Sequence, residues 1–127
     1  MMTYRITLLL AALSLFTAVA LGAFGAHGLR QHLDAAMLAV YQTGVQYHFW
    51  HGLGLGVVAL LLRGDPESRL LRWAAALLLA GIFIFSGSLY VLAISGVKWL
   101  GAITPFGGTA FLAAWLLLAV YAYRLPR

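Results

Sequence analysis

The chain has 127 residues, of which 64% are hydrophobic and 9% charged, far from a soluble domain in which about a quarter carry charge. Without cysteine it has no disulfide framework, thiolate metal site or cysteine nucleophile. Its net charge of +5 comes from basic residues standing singly at the ends of apolar runs, not from a stripe among exposed aromatics, so lipid is the expected partner and nucleic acid is not.

A hydrocarbon slab about 30 Å thick needs about 20 apolar residues per helix. Four runs meet that length, near residues 6–26, 45–62, 70–94 and 103–121, and they leave no room for a second domain. The predicted fold is all-α, an integral membrane four-helix bundle. The first run, preceded by Arg5 and containing Ala18, Ala20, Gly22 and Ala23, has the outline of a secretory signal. It continues past the length of such a segment, so a retained span is expected. Gly28 near its end suits the left-handed residue that closes many helices. From Asp34, a candidate N-cap, Met37, Leu38, Tyr41, Val45 and His48 share one face, so helix two is expected to begin as an interfacial extension outside the bilayer. Residues 63–68, with Pro66, make a turn before helix three. Residues 95–101 make another, leading to Thr104 as N-cap and Pro105 at the first helical position.

Arg5, Arg63, Arg69, Arg72, Arg124 and Arg127 gather on one side of this arrangement, and only Arg30 and Lys98 on the other. That asymmetry predicts both termini in the cytoplasm. Lipid cannot drive helices together as water does, so small residues decide where they meet. Ala18, Gly22 and Ala26 recur on helix one, Gly44, Gly52 and Gly56 around His48 on helix two, and Gly107, Ala110 and Ala114 on helix four; Gly81, Gly87 and Ser88 supply helix three. Such stripes serve packing within the bundle, homo-oligomerisation or docking to a larger membrane complex.

Ionisable groups within a membrane are rare and face inward or toward water. His48 and His51 share a helical face with Tyr41, Gly44 and Gly52, roughly 6 and 10 Å below the outer boundary by helical rise, while Trp50 turns toward lipid. His27 is expected at the same level. The three imidazoles would converge with Gln42, Tyr41, Tyr47, Ser86, Ser88, Tyr90 and Thr104 in the outer half, leaving the cytoplasmic half without polar groups. The simplest role is a set of interhelical hydrogen bonds fixing helix register. A site for a proton or a small ligand, lined by His27, Tyr41, Gln42, His48, His51, Ser86, Tyr90, Lys98 and Thr104, is the functional alternative. No cofactor is expected. A metal held by His27, His48 and His51 would lack a carboxylate or thiolate, and a haem between two imidazoles needs a roomier bundle. The helix start at Thr104, with Lys98 nearby, could attract a lipid phosphate or small anion. A hydrolytic triad using Ser86 or Ser88 would need Asp34 to fold back, and no catalytic residue can be named.

Four segments, Gly22 to Leu29 (GAFGAHGL), Tyr41 to His48 (YQTGVQYH), Ser86 to Tyr90 (SGSLY) and Gly101 to Gly108 (GAITPFGG), span most of the chain in order and resemble the signatures of the YgdD-type family. That family comprises small bacterial inner-membrane proteins, with relatives in eukaryotes, and is described as a domain of unknown function. The resemblance implies a multi-span protein of the bacterial inner (plasma) membrane and transfers no activity. Residues and resemblance together lead to a structural or interaction component of the inner membrane. The alternative is a binding or transport-accessory module for a proton, metal, lipid or small hydrophobic ligand. Autonomous transport finds no support, since neither a broken-helix pair nor a repeat is visible.

Overall fold

A computed structural model describes residues 1–127. Four helices long and apolar enough to cross a membrane account for nearly all of it: α1 (Tyr4–Leu29), α2 (Ala35–Gly64), α3 (Arg69–Ser95) and α4 (Thr104–Tyr123), the last entered through a 3-10 turn at Lys98–Ala102. The first three helices outrun their predicted spans at both ends and α4 only at its C-terminal end, because apolar runs mark only what hydrocarbon must cover while capping residues set where the helix ends. Thr3 accepts a hydrogen bond from the Ile6 amide at 3.3 Å, Asp34 from Met37 at 2.8 Å and Ser68 from Leu71 at 3.2 Å, opening α1, α2 and α3. Asp34 thus caps a helix that begins ten residues before Val45, as the amphipathic pattern indicates.

Two capping expectations fail. Gly28 has right-handed backbone within a π turn, Gly25–Leu29, that carries α1 on toward Arg30; the one residue with positive φ is Gly96, at 72°, which ends α3. Thr104 is not the N-cap of α4. The 3-10 turn runs straight into the helix, leaving Ile103 as the cap without a side-chain bond and freeing the Thr104 hydroxyl for another helix.

The helices alternate in direction, and α2 is central. α1 packs along α2 and makes no comparable seam with α3 or α4, whereas α3 packs on both α2 and α4, and α4 reaches α2 through the Phe111 and Trp115 rings. α1 accordingly buries only Thr7, Ala11 and Ala18 along its main length, while α2 buries a run from Tyr41 to Leu62 at alternating three- and four-residue steps. Leu55, Val58, Leu62, Leu71 and Leu78 fill the aliphatic core toward the end of the bundle that holds the termini. At that end Met1 Sδ meets Arg72 Nη1 at 3.6 Å, so the N-terminus lies beside the α2–α3 turn.

Close backbone approach is most severe at Gly107. A Cβ there would fall 2.7 Å from both Cα and Cβ of Phe85, so α3 and α4 touch at a point that excludes every side chain. Phe85 belongs to a π turn, Ile82–Ser86, inside α3. The extra residue in that turn sets Phe85 between α2 and α4, where its ring meets those of Tyr47 and Phe111 at 4.4 and 5.5 Å, and turns the Ser86 hydroxyl onto the Gly44 carbonyl at 2.7 Å.

The packing stripes are partly relocated. Gly44, Gly52, Gly107 and Ala114 are buried; Gly22, Gly56 and Ala110 are half-buried. Ala26 is exposed, and Gly25 takes its place against the Tyr41 ring. A repeat of four drifts by about 40° per step on a helix of 3.6 residues per turn, so Ala26 rotates off the seam that Ala18 occupies, while a seven-residue step to Gly25 nearly restores it.

Candidate functional site

The alternating steps along α2 bring Tyr41, Gly44, His48 and His51 to the inner side near the helix midpoint. Counted from Ala35, His48 lies about 20 Å along α2, near mid-height of the bundle, so both histidines are deeper than a span starting at Val45 implies. Their levels agree with those of the neighbours: Gly52 faces Ser14 and Leu15 in the middle of α1.

His48 turns toward α1 and α3. Its Nδ1 and the Tyr90 hydroxyl are 2.8 Å apart, and only 5% of the residue is exposed. The Tyr90 ring in turn leans on Tyr41 at 5.3 Å, whose hydroxyl donates to the Leu21 carbonyl at 2.5 Å and ties α2 to α1. Gly44 makes room for this arrangement, since a Cβ there would meet the Tyr90 ring at 2.9 Å. Ser86 bonds the Gly44 carbonyl close by, so the His48–Tyr90 pair is flanked by two side-chain-to-backbone ties, Tyr41 to α1 and Ser86 to α2.

Beside His48, α1 and α3 stand apart and leave a groove of about 410 Å³. Its walls are Leu10, Leu13, Leu21, Leu79, Ile82 and Phe83, and its polar groups are His48, Tyr90, Ser14 and Thr17. A cavity of that size, apolar with a few convergent polar groups, has the composition of a small-ligand site. Thr17 bonds back to the Leu13 carbonyl at 2.7 Å, but the buried Ser14 hydroxyl has no partner within the protein. Gly87 also lines the groove, and nothing lies within 4 Å of where its Cβ would be.

His51 turns the other way, toward α4. It bonds the Tyr47 carbonyl at 2.7 Å and stacks on Phe111 with ring centres 3.5 Å apart and planes 12° from parallel. Trp115 and Tyr47 complete an aromatic enclosure at 5.8 Å each.

The remaining predicted residues lie elsewhere. His27 is exposed on the π turn of α1 and does not join the other histidines; nowhere are three His, Asp or Glu side chains gathered. A three-imidazole metal site is therefore not formed by these residues. His48 and His51 share α2 and diverge, so these two imidazoles do not face each other. Gln42 is exposed and lines a separate hollow of about 230 Å³ beside Tyr41. Lys98 is exposed on the 3-10 turn. Thr104 pairs with Ser88 at 2.6 Å, joining α4 to α3, so its hydroxyl is engaged in a helix contact. The expectation of a cytoplasmic half without polar groups fails as well: Thr7, near the start of α1, is fully buried and its hydroxyl is unpartnered.

Ser14 and Thr17 were not among the expected site residues. For Ser14 the signal is present, because Thr7, Ala11, Ser14 and Ala18 repeat at four- and three-residue steps along the α2-facing side of α1, with Gly25 seven residues further on.

Residues 21–108 match the family model described as Protein of unknown function (DUF423). The chain is 45% identical over 120 residues to the UPF0382 membrane protein YwdK of Bacillus subtilis, covering 94% of this chain and 98% of that protein. It is 43% identical over 127 residues to the UPF0382 inner membrane protein YgdD of Escherichia coli K12, covering 99% and 95%. A UPF0382 membrane protein of Staphylococcus epidermidis is 43% identical over 116 residues, covering 91% and 93%. No solved structure matches the chain. A family match over most of the length, joined to relatives aligned almost end to end, makes this chain an integral membrane protein of the DUF423 family.

Proposed function

We propose that the chain is a membrane-embedded binding module whose α1–α3 groove takes a small, largely apolar molecule bearing one hydrogen-bonding group. The observation that carries this reading is the His48–Tyr90 pair, at 2.8 Å, lining an otherwise apolar groove of about 410 Å³ at mid-height of the bundle. Polar side chains in hydrocarbon are costly, and a pair kept beside an open groove can bond a guest without further rearrangement. Ser14 lines the groove from α1, although its unpartnered hydroxyl is buried beside Gly52.

Native mass spectrometry after extraction in mild detergent tests this. The native chain is expected to carry a bound apolar molecule, and Gly87→Trp, which fills the groove, is expected to release it. A native chain without adducts, or equal adducts on both proteins, would refute the reading.

Residence in the inner membrane with both termini cytoplasmic belongs to the same proposal, resting on the six-to-two division of Lys and Arg between the two ends. An impermeant reagent reaching a cysteine placed at Lys98, but not one placed at Thr3, in intact cells is the expected result. A second reading, an interaction component, is favoured by the bare outer face of α1. Phe16 and Val19 are 74% and 62% exposed there beside Ala12 and Ala20, a surface suited to another transmembrane helix. Cross-linking from Phe16→Cys to itself or to a constant partner would support it.

A further inference from the structure

At the end of the bundle that holds the termini, the first turns of α3 border a second hollow, of about 420 Å³, between Arg69, Arg72, Trp73, Ala76 and Met1. The 27 residues of α3 extend about 40 Å, some 10 Å more than the hydrocarbon core, which sets its first turn at headgroup depth. Trp73 is 64% exposed there, the depth at which indole rings settle.

The charges around the hollow are unbalanced. Glu67 is the one carboxylate in contact, 3.2 Å from Arg72 Nη2, and its side chain is 92% exposed. Arg69 has no ion-pair partner. Arg72 is less free than an ordinary surface arginine: its side chain is 20% exposed, its Nε is buried without an acceptor, and its Nη1 meets only the weak thioether acceptor of Met1. A guanidinium held in this way offers donors matched to a phosphate oxygen. Ala76 and the Trp73 ring continue the hollow toward the apolar side, where an acyl chain would lie.

We propose that this hollow is a site for an anionic phospholipid, with its phosphodiester at Arg69 and Arg72 and an acyl chain against Trp73 and Ala76. Two guanidiniums against one solvent-exposed carboxylate leave a net positive charge, which favours a lipid with an anionic headgroup over a zwitterionic one. No part of this depends on the groove beside His48.

Tryptophan quenching by lipids brominated on their acyl chains tests the site, with the signal of Trp73 taken as the difference between the native chain and Trp73→Phe. In a zwitterionic detergent, brominated phosphatidylglycerol should half-quench that signal at about tenfold lower mole fraction than brominated phosphatidylcholine. Arg69→Gln/Arg72→Gln should bring the two curves together, and Glu67→Gln should move the phosphatidylglycerol curve lower still. Superposed curves in the native chain, or a preference that survives the double substitution, overturn the proposal. Suppression of quenching by millimolar inorganic phosphate also overturns it, since the hollow would then select a small anion and not a lipid. If the double variant loses its helical circular dichroism, Glu67→Gln decides alone, and an unshifted curve refutes the site.

Discussion

His48 and His51 stand one turn apart on α2 and are both buried, yet they have different surroundings. His48 meets a hydroxyl and lines a groove between helices that do not close on each other; His51 is stacked on Phe111 and enclosed by Tyr47 and Trp115. The difference arises on the neighbouring helices. On the α4 side, Gly81 admits the Phe111 ring and Gly107 admits the Phe85 backbone, so α3 and α4 seal the seam. On the α1 side no such pair draws α1 to α3, and a groove remains. A histidine in a membrane helix therefore faces a groove or serves packing according to what its neighbours fill, and the residue type alone does not distinguish them.

Substitutions can break or sharpen this contrast. The largest effect is expected at the sealed seam: Gly107→Val would drive a side chain into the Phe85 backbone and should cost about 3 kcal/mol or more, read as a collapse of the thermal midpoint in detergent. His51→Ala removes a stacked ring and leaves a void, for an expected loss of about 2 kcal/mol, with the molecule in the groove retained in native mass spectra. His48→Ala should reverse that pattern, costing about 1 kcal/mol of stability while lowering occupancy of the groove about tenfold. Ser86→Ala deletes one interhelical hydrogen bond and should cost about 0.6 kcal/mol, near the average for such bonds in membrane proteins. Trp50→Leu, on the lipid face, should change stability by less than about 0.5 kcal/mol. Were His48→Ala and His51→Ala to show the same balance of stability and occupancy, the contrast would be lost.

Apolar run length and α2 periodicity made much of this legible in sequence. Four spans, the Asp34 cap, the shared face of Tyr41, Gly44 and His48, and the outward Trp50 all follow from local pattern, because lipid forces each helix to declare its inner side. What was illegible depends on register over several turns or on partners distant in sequence. The four-residue repeat points to Ala26 where Gly25 packs, since such a repeat drifts around the helix. Neither π turn has a local signature, and that at Ile82–Ser86 decides where Phe85 and Ser86 point. Depth alone groups His27 with the other histidines, and depth says nothing about azimuth. The divergence of His48 and His51 required knowing that α1 and α4 lie on different sides of α2.

Cysteine accessibility tests the groove most directly, because the chain has no cysteine of its own. Gly87→Cys places a thiol in the groove where nothing lies within 4 Å, and Ala114→Cys places one in the sealed core at a position 1% exposed. With a small apolar maleimide in mild detergent, Gly87→Cys is predicted to react at least tenfold faster than Ala114→Cys in the folded protein, a difference that unfolding should erase. Equal and slow labelling of the two folded variants would mean that α1 closes on α3 and would contradict the account.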